Sequence, residues 1–122
     1  VLGSIEIEPM GEFYDYKAKY TKGGAIHHLP ARIEKATNEK CMEIAQNAYQ
    51  ALECFGLARI DLIVPPSESP IVLEVNTIPG MTELSLAPEI AAHAGMSFDE
   101  LVSAVMESAR LHSNPLPFSK SC

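Results

Sequence analysis

Two short runs in the middle of the chain alternate polar and apolar side chains, and the remaining pattern arranges itself around them. Residues 58–64 read Ala-Arg-Ile-Asp-Leu-Ile-Val and residues 71–76 read Ile-Val-Leu-Glu-Val-Asn. Both are rich in β-branched residues and bounded by Pro and Ser, which predicts two strands. The link Pro65-Pro66-Ser67-Glu68-Ser69-Pro70 suits a hairpin loop, with proline confined to the strand ends and the turn. Side chains alternate along a strand, so Arg59, Asp61 and Ile63 share one face, as do Val72, Glu74 and Asn76. The opposite faces, Ile60, Leu62 and Val64 with Ile71, Leu73 and Val75, are wholly apolar. One side of the hairpin is therefore expected to pack on a core while the other gathers a guanidinium, two carboxylates and an amide.

The flanking pattern supplies the layer that covers the apolar side. Ile5-Glu6-Ile7 alternates in the β manner and meets a turn at Pro9-Met10-Gly11-Glu12; residues 13–20 follow as a second strand, antiparallel to the first. Residues 21–30 then read as a flexible loop with Gly23-Gly24 as its soft point, long enough to serve as a lid. Cys41, Ile44, Ala45, Ala48, Leu52 and Phe55 recur at helical spacing, which predicts a helix over 37–55, capped by Thr37 and closed by Gly56. Residues 86–94 form a short helix ending at Gly95, with Pro88 near its first turn. Ser97-Phe98-Asp99-Glu100 is a capping box opening a helix to about residue 111, and residues 113–122 read as a flexible tail. The fold class is α+β: an antiparallel sheet with helices packed on one face, as a single domain over 1–122.

Asp61, Glu74 and the Asn76 carbonyl are hard oxygen ligands of the kind Mg²⁺ prefers, and Mg²⁺ commonly shares its sphere with waters and phosphates. Arg59 beside them would grip phosphate oxygens through its planar fork. By spacing alone the same residues read equally well as solvated polar groups on an open sheet face. Lys19 and Tyr20 read on their own as a solvated lysine and a packed aromatic, and Ser85 as a helix N-cap. Adjacent His27 and His28 are not expected to converge on one ion. Cys41 belongs to the helical stripe, so it reads as core filler rather than nucleophile.

The strand end runs on as Glu74-Val75-Asn76-Thr77-Ile78-Pro79-Gly80-Met81-Thr82, with Ser85-Leu86 following. Together with Arg59-Ile60-Asp61 and the upstream Phe13-Tyr14-Asp15-Tyr16-x-Ala18-Lys19-Tyr20, this resembles the C-terminal part of the D-alanine–D-alanine ligases, an ATP-grasp family. The resemblance covers roughly residues 1–110. It implies a C-terminal ATP-grasp subdomain in which Asp61, Glu74 and Asn76 hold two Mg²⁺ ions, Mn²⁺ being an acceptable substitute, with Glu74 bridging them. It also implies that Arg59 and the Gly80 backbone N–H face a developing oxyanion, and that Lys19, Tyr20 and Ser85 serve the acceptor substrate. The substrates implied are ATP and D-alanine: one D-alanine carboxylate is phosphorylated and the amine of a second attacks it, as cell-wall precursor synthesis requires. The residues 21–30 would close over that site.

Composition narrows the setting. A net charge of −7 without a basic cluster argues against nucleic acid or an anionic membrane as partner. No apolar run approaches the roughly 20 residues that span a bilayer. Cys41, Cys54 and Cys122 show no paired spacing and read as reduced thiols in a bacterial cytosol. The start at Val1-Leu2-Gly3 leads straight into a strand, as in a piece of a longer protein whose nucleotide-binding lobe lies elsewhere. Such a piece alone is expected to be inactive, and the surface that meets the other lobe is a candidate for pairing with a second copy. Two other readings compete: an ATP-grasp ligase with another acceptor, such as D-lactate, and a non-catalytic interaction domain that kept the fold.

Overall fold

The structure, a computed structural model, describes residues 1–9, 25–82 and 85–109. β1 (Glu6–Pro9) and β2 (Ala25–His28) pair antiparallel, Glu6 opposite His28 and Ile7 opposite His27. α1 (Lys35–Ala51) leads into β3 (Arg59–Ile63) and β4 (Ile71–Asn76), which form a second antiparallel pair. α2 (Leu86–His93) and α3 (Phe98–Ser108) complete the order. α1 lies against β3 and β4, and α2 packs on α3, so the helix-on-hairpin layering of an α+β fold is realised. Among the described residues the buried helix side chains include Cys41 from α1, Ala87, Pro88 and Ala91 from α2, and Leu101 from α3. Burial raises the Cys41 thiol's pKa, in keeping with core filler.

Local physics accounts for most element ends. Ser97 and Glu100 form the expected capping box of α3, the Glu100 carboxylate accepting from the Ser97 backbone N–H at 2.7 Å. α2 ends at Gly95, whose φ of 85° is open to glycine, with Met96 N–H reaching the Ala91 carbonyl at 2.9 Å. α1 departs from expectation at both ends. It begins at Lys35 after an N-cap at Glu34, so Thr37 lies inside the first turn and does not cap it. Lys35 and Ala36 are both sound helix formers and extend the helix upstream. Its C-terminus closes at Glu53, not at Gly56: Glu53 adopts φ 50°, its N–H reaches the Gln50 carbonyl and the Cys54 N–H reaches that of Tyr49. Leu52 and Phe55 thereby leave the helical stripe and stand 62% and 42% exposed.

Two further expectations are corrected. The glycine pair predicts a loop over 21–30, yet Ala25–His28 is strand β2, stabilised by the ladder to β1. The strand expected over 13–20 lies outside the described residues. In the central hairpin the register shifts between Asp61 and Leu62: Asp61 faces Glu74, Leu62 faces Val72, and Leu73 is the extra residue of a bulge. Val72 therefore leaves the face of Glu74 and Asn76 and comes opposite Leu62. The bulge interrupts the alternation that a regular strand would have kept.

Candidate functional site

The ladder register brings the central polar residues together in pairs. Arg59 stands opposite Asn76 and Asp61 opposite Glu74, and directly opposed residues share a face. The Arg59 fork lies across both acids: Nε donates to Asp61 Oδ1 at 2.6 Å, Nη2 to Asp61 Oδ2 at 2.9 Å, and Nη2 to Glu74 Oε1 at 3.2 Å. Arg59 is only 19% exposed against 54% for Glu74, so the arginine is sheltered while the glutamate stands open. Hydrogen bonding to Asp61 leads the causes that raise the Arg59 pKa, against some desolvation, and the guanidinium stays charged. The Asn76 amide oxygen accepts the Ile78 backbone N–H at 3.0 Å, which orients that amide at the strand end.

The turn that follows brings Gly80 against Ser85. A Cβ built on Gly80 would lie 2.7 Å from Ser85 Oγ, so glycine is required there by close approach. Ser85 occupies the N-cap position of α2, but its hydroxyl makes no cap bond. It turns back to accept the Thr82 backbone N–H at 3.0 Å and lies 2.9 Å from Thr82 Oγ1. The N-cap reading of Ser85 thus holds for position and fails for the side chain, because Thr82 competes for the hydroxyl. Thr82 itself, spaced Thr-x-x-Ser, is a part of this turn that sequence reasoning gave no role. Lys19 and Tyr20 lie outside the described residues.

The two histidines find separate glutamates, as strand alternation requires. His27 Nδ1 lies 2.7 Å from Glu89 Oε2 on α2, and His28 Nε2 lies 2.8 Å from Glu8 Oε2 on β1. On the latter face Arg32 donates to Glu6 Oε1 at 2.8 Å and to Glu8 Oε2 at 2.7 Å. Hydrogen bonds from Arg32 are the largest influence on the Glu6 carboxyl, lowering its pKa to about 2, and His28 with Arg32 lowers that of Glu8. Glu6, Glu8 and His28 could geometrically meet one ion, but the Arg32 guanidinium already serves the two carboxylates. Apart from this face, an apolar cleft of about 360 Å³ opens between Phe55, Ile78, Pro79 and Val105 and includes none of the predicted site residues.

Fold and site together define an α+β unit presenting two carboxylates, an amide and a guanidinium on a hairpin face, next to a tight Gly80–Ser85 turn. The family described as "D-ala D-ala ligase C-terminus" matches residues 1–107, and the chain belongs to that family. It is 51% identical over 110 residues to the D-alanine–D-alanine ligase of Citrifermentans bemidjiense, covering 90% of this chain and 36% of that protein. Among solved structures it is similar to the D-alanine–D-alanine ligase of Bacillus anthracis complexed with ATP (TM-score 0.68, 36% identity, 85% of this chain and 34% of that one). It is likewise similar to the VanG D-Ala:D-Ser ligase of Enterococcus faecalis (TM-score 0.71, 36% identity, 86% of this chain and 31% of that one). The chain thus spans about a third of the length of these relatives. No helix among the described residues is long and apolar enough to cross a membrane.

Proposed function

We propose that this chain is the C-terminal region of a cytosolic, ATP-dependent D-alanine–D-alanine ligase, supplying the metal-binding and acceptor sides of its active site. The observation that carries the reading is the Arg59–Asp61–Glu74–Asn76 face set beside the Gly80–Ser85 turn, in a chain of this family. Large apolar side chains left open on the sheet, such as Ile71 at 51% and Leu73 at 59%, are surface that the nucleotide-binding lobe would cover. D-Serine or D-lactate as acceptor is the runner-up, since one of the similar structures is a D-Ala:D-Ser ligase.

The donor set fits Mg²⁺. Two opposed carboxylates and an oriented amide oxygen, gathered on one face, are hard ligands. Asp61, Glu74 and Asn76 would hold the metal, which when bound supplies charge neutralisation for the phosphates. Arg59 has the charge and the fork to steady phosphoryl oxygens and the oxyanion formed as the second amine attacks. The backbone N–H of Gly80 aids it, and close packing on Ser85 holds that stretch in place. Ser85, with Lys19 and Tyr20 from the upstream segment, serves the acceptor substrate.

The test is phosphate release by the full-length enzyme with D-alanine, Mg²⁺ and ATP, repeated with D-serine and D-lactate. D-Alanine-dependent release is expected. Glu74→Gln should lower it at least about 10³-fold, the scale of losing a key electrostatic contact, and Asp61→Asn somewhat less because an oxygen ligand remains. Near-normal turnover of Glu74→Gln at saturating Mg²⁺ would sink the metal assignment.

A further inference from the structure

The hydrogen bond between His27 and Glu89 joins parts of the fold that nothing in local sequence connects. The two residues are 62 positions apart, and their side chains are 27% and 36% exposed. His27 lies on β2 opposite Ile7, on the hairpin face away from the Glu6, Glu8 and Arg32 network. Glu89 lies in the first turn of α2. Its backbone N–H reaches back to the Ser85 carbonyl at 3.3 Å. One residue on, Ile90 packs so close to Gly3 that a Cβ there would stand 3.2 Å from Ile90 Cγ2. The first turn of α2 is therefore gripped on the hairpin side at two successive residues, one grip polar and one apolar.

The polar grip leads directly to the turn described above. His27 fixes Glu89, the Glu89 N–H fixes the Ser85 carbonyl, and the Ser85 hydroxyl is held by Thr82 against Gly80. The Ser85 side chain makes no bond to its own helix; Thr82 holds the hydroxyl, while α2 places the Ser85 backbone that carries it. His27, through Glu89, ties the first turn of α2 to β2. A close apolar contact such as Gly3 with Ile90 can slide; a hydrogen bond from a ring nitrogen to a carboxylate oxygen is directional.

We propose that His27 and Glu89 are positioning residues for the acceptor substrate, an inference that rests on the ligase reading above. They touch neither substrate nor metal; they hold α2 so that the Ser85 hydroxyl meets the acceptor carboxylate. Action through Ser85 alone would give the pair a signature that mere stabilisation lacks: a change in the KM for the second D-alanine without a matching change in that for ATP.

The experiment is steady-state kinetics of the full-length enzyme carrying His27→Ala, His27→Asn or Glu89→Gln, with thermal melting alongside. In His27→Ala the KM for the second D-alanine should rise about fivefold, a fraction of the full worth of a hydrogen bond to a charged group because the pair is partly exposed. The KM for ATP should move less than about twofold over the same series. His27→Asn, whose amide nitrogen can stand where Nδ1 stands, should recover most of the loss, and Glu89→Gln, which keeps an oxygen acceptor, should fall between. Lys40→Ala, which breaks an exposed pair on α1, serves as the control and should leave both constants unchanged. Parallel rises in both KM values, a lowered melting temperature with no kinetic split, or no rescue by His27→Asn would overturn the inference while leaving the ligase reading intact. An unsubstituted enzyme that fails to join D-alanines would overturn both.

Discussion

Removing the Arg59 side chain tests the electrostatics of the central face without any substrate. Arg59 makes two hydrogen bonds to Asp61, at 2.6 and 2.9 Å, and a longer one to Glu74 at 3.2 Å. Arg59 and Asp61 are 19% and 30% exposed, so their pair is more sheltered than an ordinary surface ion pair. It is credited with about 1.5 kcal/mol, between the values for exposed pairs and for buried bonds to charged groups. The contact to the open Glu74 adds about 0.3 kcal/mol at most. Loss of the guanidinium also leaves Asp61 and Glu74 as like charges directly opposed across the ladder, worth about 0.5 kcal/mol. Arg59→Ala should therefore cost about 2 kcal/mol in urea denaturation followed by circular dichroism, in metal-free, low-salt buffer near neutral pH. Arg59→Lys keeps the charge but loses the fork, and should cost about half as much. Added Mg²⁺ should restore part of the Arg59→Ala deficit, because the freed acids then have a cation to share. An Arg59→Ala value within about 0.5 kcal/mol of the parent, the range of an ordinary surface substitution, would refute this electrostatic account. Indistinguishable lysine and alanine variants would do the same.

Other consequences are open to simple assays. Ser85→Ala should raise the KM for the second D-alanine more than that for ATP, and should cost about 1 kcal/mol by depriving the Thr82 N–H of its acceptor, not by uncapping α2; equal effects on both substrates would leave Ser85 a purely structural residue. Glu53→Gly should stabilise by about 0.5 kcal/mol in thermal melts, because a left-handed C′ position suits glycine better than glutamate. Gly56→Ala should do the reverse, since the added methyl would sit 2.8 Å from Ser108 Oγ at a φ of 66°. Stability should also fall in acid: the Glu6 pKa is depressed from 4.5 to about 2, so its contribution is complete above pH 4.5 and is lost as pH falls through 2. Glu6→Gln should flatten that part of the stability–pH curve, and an unchanged slope would show that the Arg32 pairing does not survive in solution.

The sequence by itself determined which residues could share a surface. Period-2 alternation over 59–63 and 74–76 put Arg59, Asp61, Glu74 and Asn76 on one side of a hairpin, since side-chain direction follows from strand geometry alone. The capping box at Ser97 and the stop at Gly95 were legible for a similar reason, being contests settled within one helical turn. What only the tertiary structure decided lies where local preferences leave more than one choice. Alternation does not say where a strand bulges, and the extra Leu73 is what moved Val72 off the polar face. Residues 25–28 carry a weak strand signal after a glycine pair, and only the partner strand β1 turned them from loop into ladder. Ser85 in front of a helix reads as a cap, but Thr82 and Gly80 took its hydroxyl for the turn. His27 and Glu89 became a pair because two elements far apart in sequence pack together, and a contact of that kind is fixed by the packing of the whole fold rather than by either residue's neighbours.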